Sequence, residues 1–456
     1  MRLARLAALA AILAPAPAAA LPAVLVGAAP MRPRSHNTHL VVVQDGERTT
    51  MALQFDVLAV PMDLMIVLPI HGEIDPGSLK TLDRRLFERL DHLAAPRLEH
   101  VWEQDPCAPS APTDAPTASL PPTGPRPHPA TFSDGEYDFA VLGRVGAGEL
   151  ETWLRALGFP MYDAHHAALA EHFAAGAQFV VARVDRQQVH FNARGHAVLS
   201  PFRVSFVADP GWRLPLRAGL LHADGAQDLV IHGLARGRRL TLDRPTAPPV
   251  GDLDLTAAAA DRFPAVHAAV SAATRAHTDA RALVEHAAPL APDALAAEEL
   301  TALGVGTDRD GLVLSRVHLH HDPTDLVEDP ALSTTPHDVD LHARYLVRHP
   351  WTGATTCDDP RPGVWGPPIR SHGASGPLTG VDADVAPRLL RSMARTYPVA
   401  DLGPYLAADV PALGLTRAPA GCSCATRPAY RDVGFTGLFV LALRRRRSAG
   451  RAARCE

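Results

Sequence analysis

Lysine is almost missing from this chain: Lys80 is the single copy, and every other fixed positive charge is arginine. Lys and Arg total 44 against 49 Asp and Glu, a net charge of −5, and only a short terminal run clusters the arginines. A nucleic-acid partner needs a basic excess gathered on one face, so nucleic acid is excluded. Cysteine is scarce too, with 5 in 456 residues, which rules out a disulfide-dense scaffold. The catalytic signatures are also absent. There is no G-x-S-x-G elbow, and no cysteine has a histidine near it in a recognised arrangement. Gly143, Gly146 and Gly148 sit between a strand pattern and a helix pattern, but their spacing is not G-x-G-x-x-G and no Walker lysine follows. No cofactor is implied.

What is present is a long core-forming chain, large enough for two or three structural units. Thr38 to Gln44 and Thr49 to Val57 flank Asp45-Gly46, a hairpin signal. Leu64 to Leu68 reads as a strand. Leu79, Leu82, Leu86, Leu90 and Leu93 predict a helix. The densest stretch runs from Gly135 to Leu220. Tyr137 to Val145 reads as a strand, Leu150 to Leu157 as an amphipathic helix, and Ala167 to Phe173 as a second helix with Asp163 capping its start. Phe179 to Val184 predicts a strand buried on both faces, and Phe202 to Phe206 an alternating one. Leu214 to Leu221 and Asp228 to Leu234 suggest further strands. Residues 251–303 are Ala-rich and helical in period, with breaks at Pro264 and Pro289. Segregated strands and helices of this kind give an α+β fold of mostly antiparallel sheets with packed helices.

Several strings resemble the DUF2330 family of uncharacterised secreted bacterial proteins. They are Gly-Glu-Tyr-Asp-Phe-Ala-Val-Leu (135–142), Leu-Glu-Thr-Trp-Leu-Arg-Ala-Leu-Gly-Phe (150–159), Ala-Gly-Ala-Gln-Phe-Val-Val-Ala-Arg-Val-Asp (175–185) and Leu-Ser-Pro-Phe-Arg-Val-Ser-Phe (199–206). Val-Val-Gln-Asp-Gly (42–46), Trp-Glu-Gln-Asp-Pro-Cys (102–107) and Tyr-Leu-Val-Arg-His-Pro-Trp-Thr-Gly (345–353) extend the likeness from 35 to 360. The resemblance implies secretion and carries no established activity.

The two ends agree with export. Residues 1–20 form a signal-peptide pattern: Arg2 and Arg5, the apolar stretch Leu6 to Leu13, then Ala18-Ala19-Ala20. Residues 421–456 hold Cys422 and Cys424, a mostly apolar run from Val433 to Leu443, and Arg444 to Arg447. This order resembles the MYXO-CTERM sorting tail of bacterial surface proteins. The resemblance implies membrane retention, contact with the sorting machinery and processing at Cys422 or Cys424. The apolar run, about eleven residues, is shorter than the roughly twenty that span a bilayer. The address is the outer membrane or cell surface, or else the periplasm. Between the ends the chain reads as an amino-terminal α+β part (35–107), a disordered Pro-rich insert (108–130), a central core (131–250), a helical segment with late strands (251–353) and a flexible spacer (354–420).

One stretch invites chemistry. Arg316-Val317-His318-Leu319-His320-His321-Asp322 follows a strand pattern, so His318, His320 and Asp322 would share a face. Imidazoles at that spacing can bind zinc, with His337, Asp338, Asp340 and His342 downstream, although the spacing fits no defined zinc motif. The competing reading is the wet face of a half-buried strand. Cys107 and Cys357 either pair with each other after export or stay unpaired. Two functions follow. The first is an exported envelope or surface protein, structural or binding, with no catalysis evident. The alternative is a metal-dependent envelope hydrolase at His318–Asp322.

Overall fold

The structure, a computed structural model, describes residues 21–28, 33–57, 63–107, 135–191, 197–248, 252–307, 309–322, 324, 326–366 and 397–418. The signal-peptide pattern at 1–20, the Pro-rich insert at 108–130, residues 367–396 of the expected spacer and the tail at 421–456 lie outside them.

Strand β1 (Val24–Gly27) leads into the hairpin β2 (Ser35–Asp45) and β3 (Arg48–Val57). Gly46 turns it at φ +63, a left-handed conformation that glycine adopts without strain. Strands β4 (Leu64–Ile70) and β5 (Gly72–Thr81) precede helix α1 (Arg84–Ala94) and β6 (Arg97–Glu103). The expected helix start at Leu79 is corrected here. Lys80 and Thr81 pair with Arg203 and Phe202 of a later strand, and the helix begins where Asp83 accepts the Arg85 N–H at 2.9 Å.

Next come β7 (Tyr137–Leu142), α2 (Ala147–Ala156), α3 (Asp163–Ala174), β8 (Gln178–Val184), β9 (His190–Phe191), β10 (Ala197–Val198) and β11 (Phe202–Ala208). Asp163 is the first helical residue of α3 and not its cap; Tyr162 holds the cap position, its N–H donating to His165 Nδ1 at 2.9 Å. Leu216–His222, expected as strand, is a 3-10 helix, since Pro215 before it has no N–H for a ladder.

The rest is β12 (Ala223–Arg236), β13 (Arg238–Leu242), β14 (Thr246–Ala247), β15 (Leu253–Leu255), α4 (Phe263–Thr278), β16 (Ala282–Pro289), α5 (Ala297–Leu303), β17 (Leu312–His321), β18 (Leu332–Pro336), β19 (Leu341–His342), β20 (Arg344–His349) and β21 (Trp365–Gly366). The Ala-rich stretch is therefore not helical throughout. Asp279, at φ +53, ends α4, and β16 then enters the main sheet.

The fold is α+β, and most of its strand pairs are antiparallel. Its layers follow from which side chains meet. β1-β4-β8-β7 form one sheet, and the main sheet runs through β16-β17-β12-β2-β3 with β11 and β5 beyond. Leu25, Ile66, Val180 and Ala182 from the first sheet meet Leu40, Leu53, Phe202, Ile231 and Val317 from the second in one apolar core. The outer face of the first sheet, with Val67, Phe179 and Val181, packs on Leu150, Leu154 and Leu169 of α2 and α3. This is why the 179–184 strand is apolar on both faces. The outer face of the main sheet, with Val41, Val43, Leu234 and Leu314, packs on Phe87 and Leu90 of α1 and Leu303 of α5. The order is helix, sheet, sheet, helix.

A division into separate amino-terminal, central and late blocks is not how the sheets are built. β2 lies parallel to β12, β4 beside β8, and β6 parallel to β20, so the described residues from Leu21 to Arg417 interleave in one unit. Within the expected spacer, Leu406 and Leu413 are buried against Phe263, Val266 and Tyr345. Among the described residues no helix is long and apolar enough to cross a membrane.

Candidate functional site

On the helix-facing side of the main sheet the apolar packing gives way to a buried polar network. β17 supplies Arg316 and His318, two residues apart and so on one face. β12 runs antiparallel to it, pairing Asp228 with His320 and Val230 with His318. On the other side β16 carries a bulge: the register shifts between Val284 and His286, so Glu285 is an extra residue opposite β17. A bulge of this kind re-aims a side chain. Here it turns Glu285 onto the face that carries Arg316 and His318.

The contacts form a chain. Arg316 is 1% exposed, donates to Glu285 through Nη1 and lies 3.0 Å from Asp91 of α1 through Nη2. His318 Nδ1 is 3.1 Å from Glu285 Oε1, and its Nε2 is 2.9 Å from Asp228 Oδ1. His320 Nδ1 meets the same Asp228 oxygen at 2.8 Å. From α4, His267 Nε2 reaches Glu285 Oε1 at 3.0 Å, while its Nδ1 meets the Tyr345 hydroxyl at 2.8 Å. Ser271 Oγ lies 3.4 Å from His267 Nε2. Four strands and two helices thus converge on Glu285 and its neighbours.

The electrostatics balance internally. Burial would raise the Glu285 carboxyl, but the charges of Arg316 and His318 hold it well below the usual range. Burial opposes Asp228 ionisation likewise, and the bonds from His318 and His320 overcome it. Burial would lower His318; Glu285 and Asp228 outweigh it and lift the imidazolium pKa to about 9. Asp91 is raised by burial against the pull of Arg316. His267 is lowered by burial despite Glu285, so it stays neutral. Beside this network His39 and His232 face each other at 2.5 Å under Phe87, both pushed down by burial.

The profile of a family described as an uncharacterized protein conserved in bacteria, DUF2330, matches residues 16–333. The chain belongs to the DUF2330 family. No curated protein matches the chain. Among solved structures, baculovirus P35 is similar at 10% identity over 47% of this chain and 76% of that chain, with a TM-score of 0.23. That likeness is too slight to carry any argument.

In this DUF2330 chain the residues singled out from the sequence divide. His318 and His320 do share one carboxylate partner, but it is Asp228. Asp322 lies past the end of β17 and is exposed, and the carboxylates that meet His318 are Asp228 of β12 and Glu285 of β16. The face is not wet either: β17 is buried along nearly its whole length, with Leu312 and Leu314 packed on α1 and α5. His337 pairs with Asp340 at 2.8 Å and His342 with His286 at 3.2 Å, outside the network. Asp228 was readable only as the first residue of a strand pattern. Glu285 and His267 were hidden in a stretch that reads as plain Ala-rich helix. Cys107 and Cys357 are joined by a disulfide across 250 residues of sequence, with Cα atoms 5.5 Å apart.

Proposed function

We propose that this DUF2330 protein is exported and works in the cell envelope or at the cell surface as a structural or binding module, without catalysis. The observation that carries the reading is the Cys107–Cys357 disulfide. Disulfides persist in oxidising compartments and are rare in a reducing cytosol. The signal-peptide pattern at 1–20 and the Cys422/Cys424 tail give the same address from the two ends. The partners are then the export and sorting machinery and, through the tail, the membrane. The non-catalytic part rests on the network. Its imidazoles and carboxylates are bonded to one another beneath two helices, which suits a rigid core better than a water nucleophile meeting a substrate.

The test is fractionation with thiol trapping. Cells expressing the full chain are quenched with a thiol-alkylating reagent and separated into cytosol, periplasm and envelope. The protein is expected in the envelope or periplasmic fraction with Cys107 and Cys357 unlabelled. Accumulation in the cytosol with both thiols labelled contradicts the reading.

A further inference from the structure

We propose that His267, Glu285 and His318 bind one divalent metal ion of the zinc class. The three residues come from α4, the β16 bulge and β17, and one ligand atom from each lies within 4.8 Å of the others. The set, two imidazoles and one carboxylate, is one that zinc takes in tetrahedral sites. Zinc–ligand bonds of 2.0–2.2 Å put neighbouring donors about 3.3 Å apart in a tetrahedron. The donors now stand at 3.0 and 3.1 Å around Glu285 Oε1, so seating an ion needs an opening of a few tenths of an ångström.

The surroundings argue further than the donors alone. Each candidate ligand is held from its far side by another group. His318 turns its second nitrogen to Asp228, His267 turns its second nitrogen to the Tyr345 hydroxyl, and the second oxygen of Glu285 takes Arg316. Partners of this kind fix the tautomer and orientation of metal-bound histidines. They leave Nε2 of His267 and Nδ1 of His318 both turned to Glu285 Oε1, so the three donor atoms meet in one cluster. Ser271 Oγ, 3.4 Å from the same His267 nitrogen, stands where a fourth ligand or a bound water would be. In the metal-free protein one proton on His318 sits between the imidazole and Glu285. A dication takes its place: the His318 Nδ1–H bond breaks and its proton leaves to solvent, the His267 proton shifts from Nε2 to Nδ1 and is donated to the Tyr345 hydroxyl oxygen, and both freed nitrogens bond the metal. With the donors almost fully buried, the ion is held as part of the core.

The experiment uses the full chain, stripped with a chelator and titrated with Co²⁺. The expected result is a visible absorption band of tetrahedral Co²⁺ saturating at one equivalent, displaced by one equivalent of Zn²⁺, with a rise in melting temperature on Zn²⁺ addition. His267→Ala removes the band. Tyr345→Phe keeps the fold and weakens binding about tenfold, the usual cost of losing a ligand's outer partner. Asp322→Ala leaves binding unchanged. The proposal is overturned if the wild-type chain gives no band and no thermal shift, a result that does not depend on whether any variant folds. Loss of the band in Asp322→Ala with retention in His267→Ala overturns it equally.

Discussion

Arg316 carries a full charge where water does not reach, and two carboxylates depend on it. Removing one partner of a buried ion pair strands the other, at a cost of about 3–5 kcal/mol. Arg316→Met is therefore expected to lower the unfolding free energy by about that amount in a denaturant titration. A change below about 1 kcal/mol would mean the pair is not buried as described. The buried neutral histidines make a second prediction. Burial lowers the pKa of His39 and His222 to about 3 and that of His172 to about 4, from 6.5. His222 shows why: its Nε2 accepts the Leu25 N–H at 2.8 Å, which protonation would forbid. In each case the unfolded chain binds the proton first. Their stability is complete above pH 6.5 and is lost as pH falls toward about 3–4. His318 titrates oppositely and in another window, losing its contribution between 6.5 and about 9. The denaturation midpoint should thus drop from pH 7 to pH 5; an equal or higher midpoint at pH 5 refutes the burial of neutral imidazoles. At this scale the sequence was half legible. The spacing of His318 and His320 gave their shared face. Nothing local marked Asp228, Glu285 or His267, because their meeting depends on contacts across up to 92 residues.

Among the elements, the ones that read best are those whose apolar period is set by a single neighbour. The 38–57 hairpin, the Leu150–Leu157 helix and the doubly buried 179–184 strand are of that kind. The misread ones are governed by tertiary partners. Lys80 and Thr81 fit the leucine period of α1 but are held in β5 by pairing with β11. β16 has an alanine-rich sequence that helix would suit, yet the ladder with β17 claims it. Leu216–His222 curls into a 3-10 helix against the amino-terminal segment, and there a single atom decides the fit. A Cβ on Gly219 would stand 1.8 Å from the Leu21 carbonyl oxygen. Gly219→Ala is expected to push Leu21 and β1 off the sheet, seen as faster amide hydrogen exchange in residues 21–27. Unchanged exchange there would show that the segment does not dock as described. Asp83→Ala removes the α1 cap and is expected to cost about 1 kcal/mol.

For the whole molecule, the α+β class and the antiparallel bias were legible, while the layering was not. Local pattern says which strands are apolar on two faces; it does not say that β2 runs parallel to β12 or that residues near 406 return to pack on α4. The bond between Cys107 and Cys357 ties β6 and the chain after β20 across 250 residues. Closing so long a loop restricts the unfolded chain, and losing such a bond typically costs about 2–5 kcal/mol. Cys357→Ser should lower the melting temperature, and reductant should do the same to the wild type and nothing to the variant. Both effects bear on one question, whether the protein matures where disulfides form. The most direct measurement is intact mass spectrometry, without reduction, of the protein recovered from fractionated cells. The account predicts an envelope-associated chain that has lost the segment before Leu21 and is two hydrogens lighter for the Cys107–Cys357 bond. A cytosolic chain that still begins at Met1, with both thiols free, would contradict it.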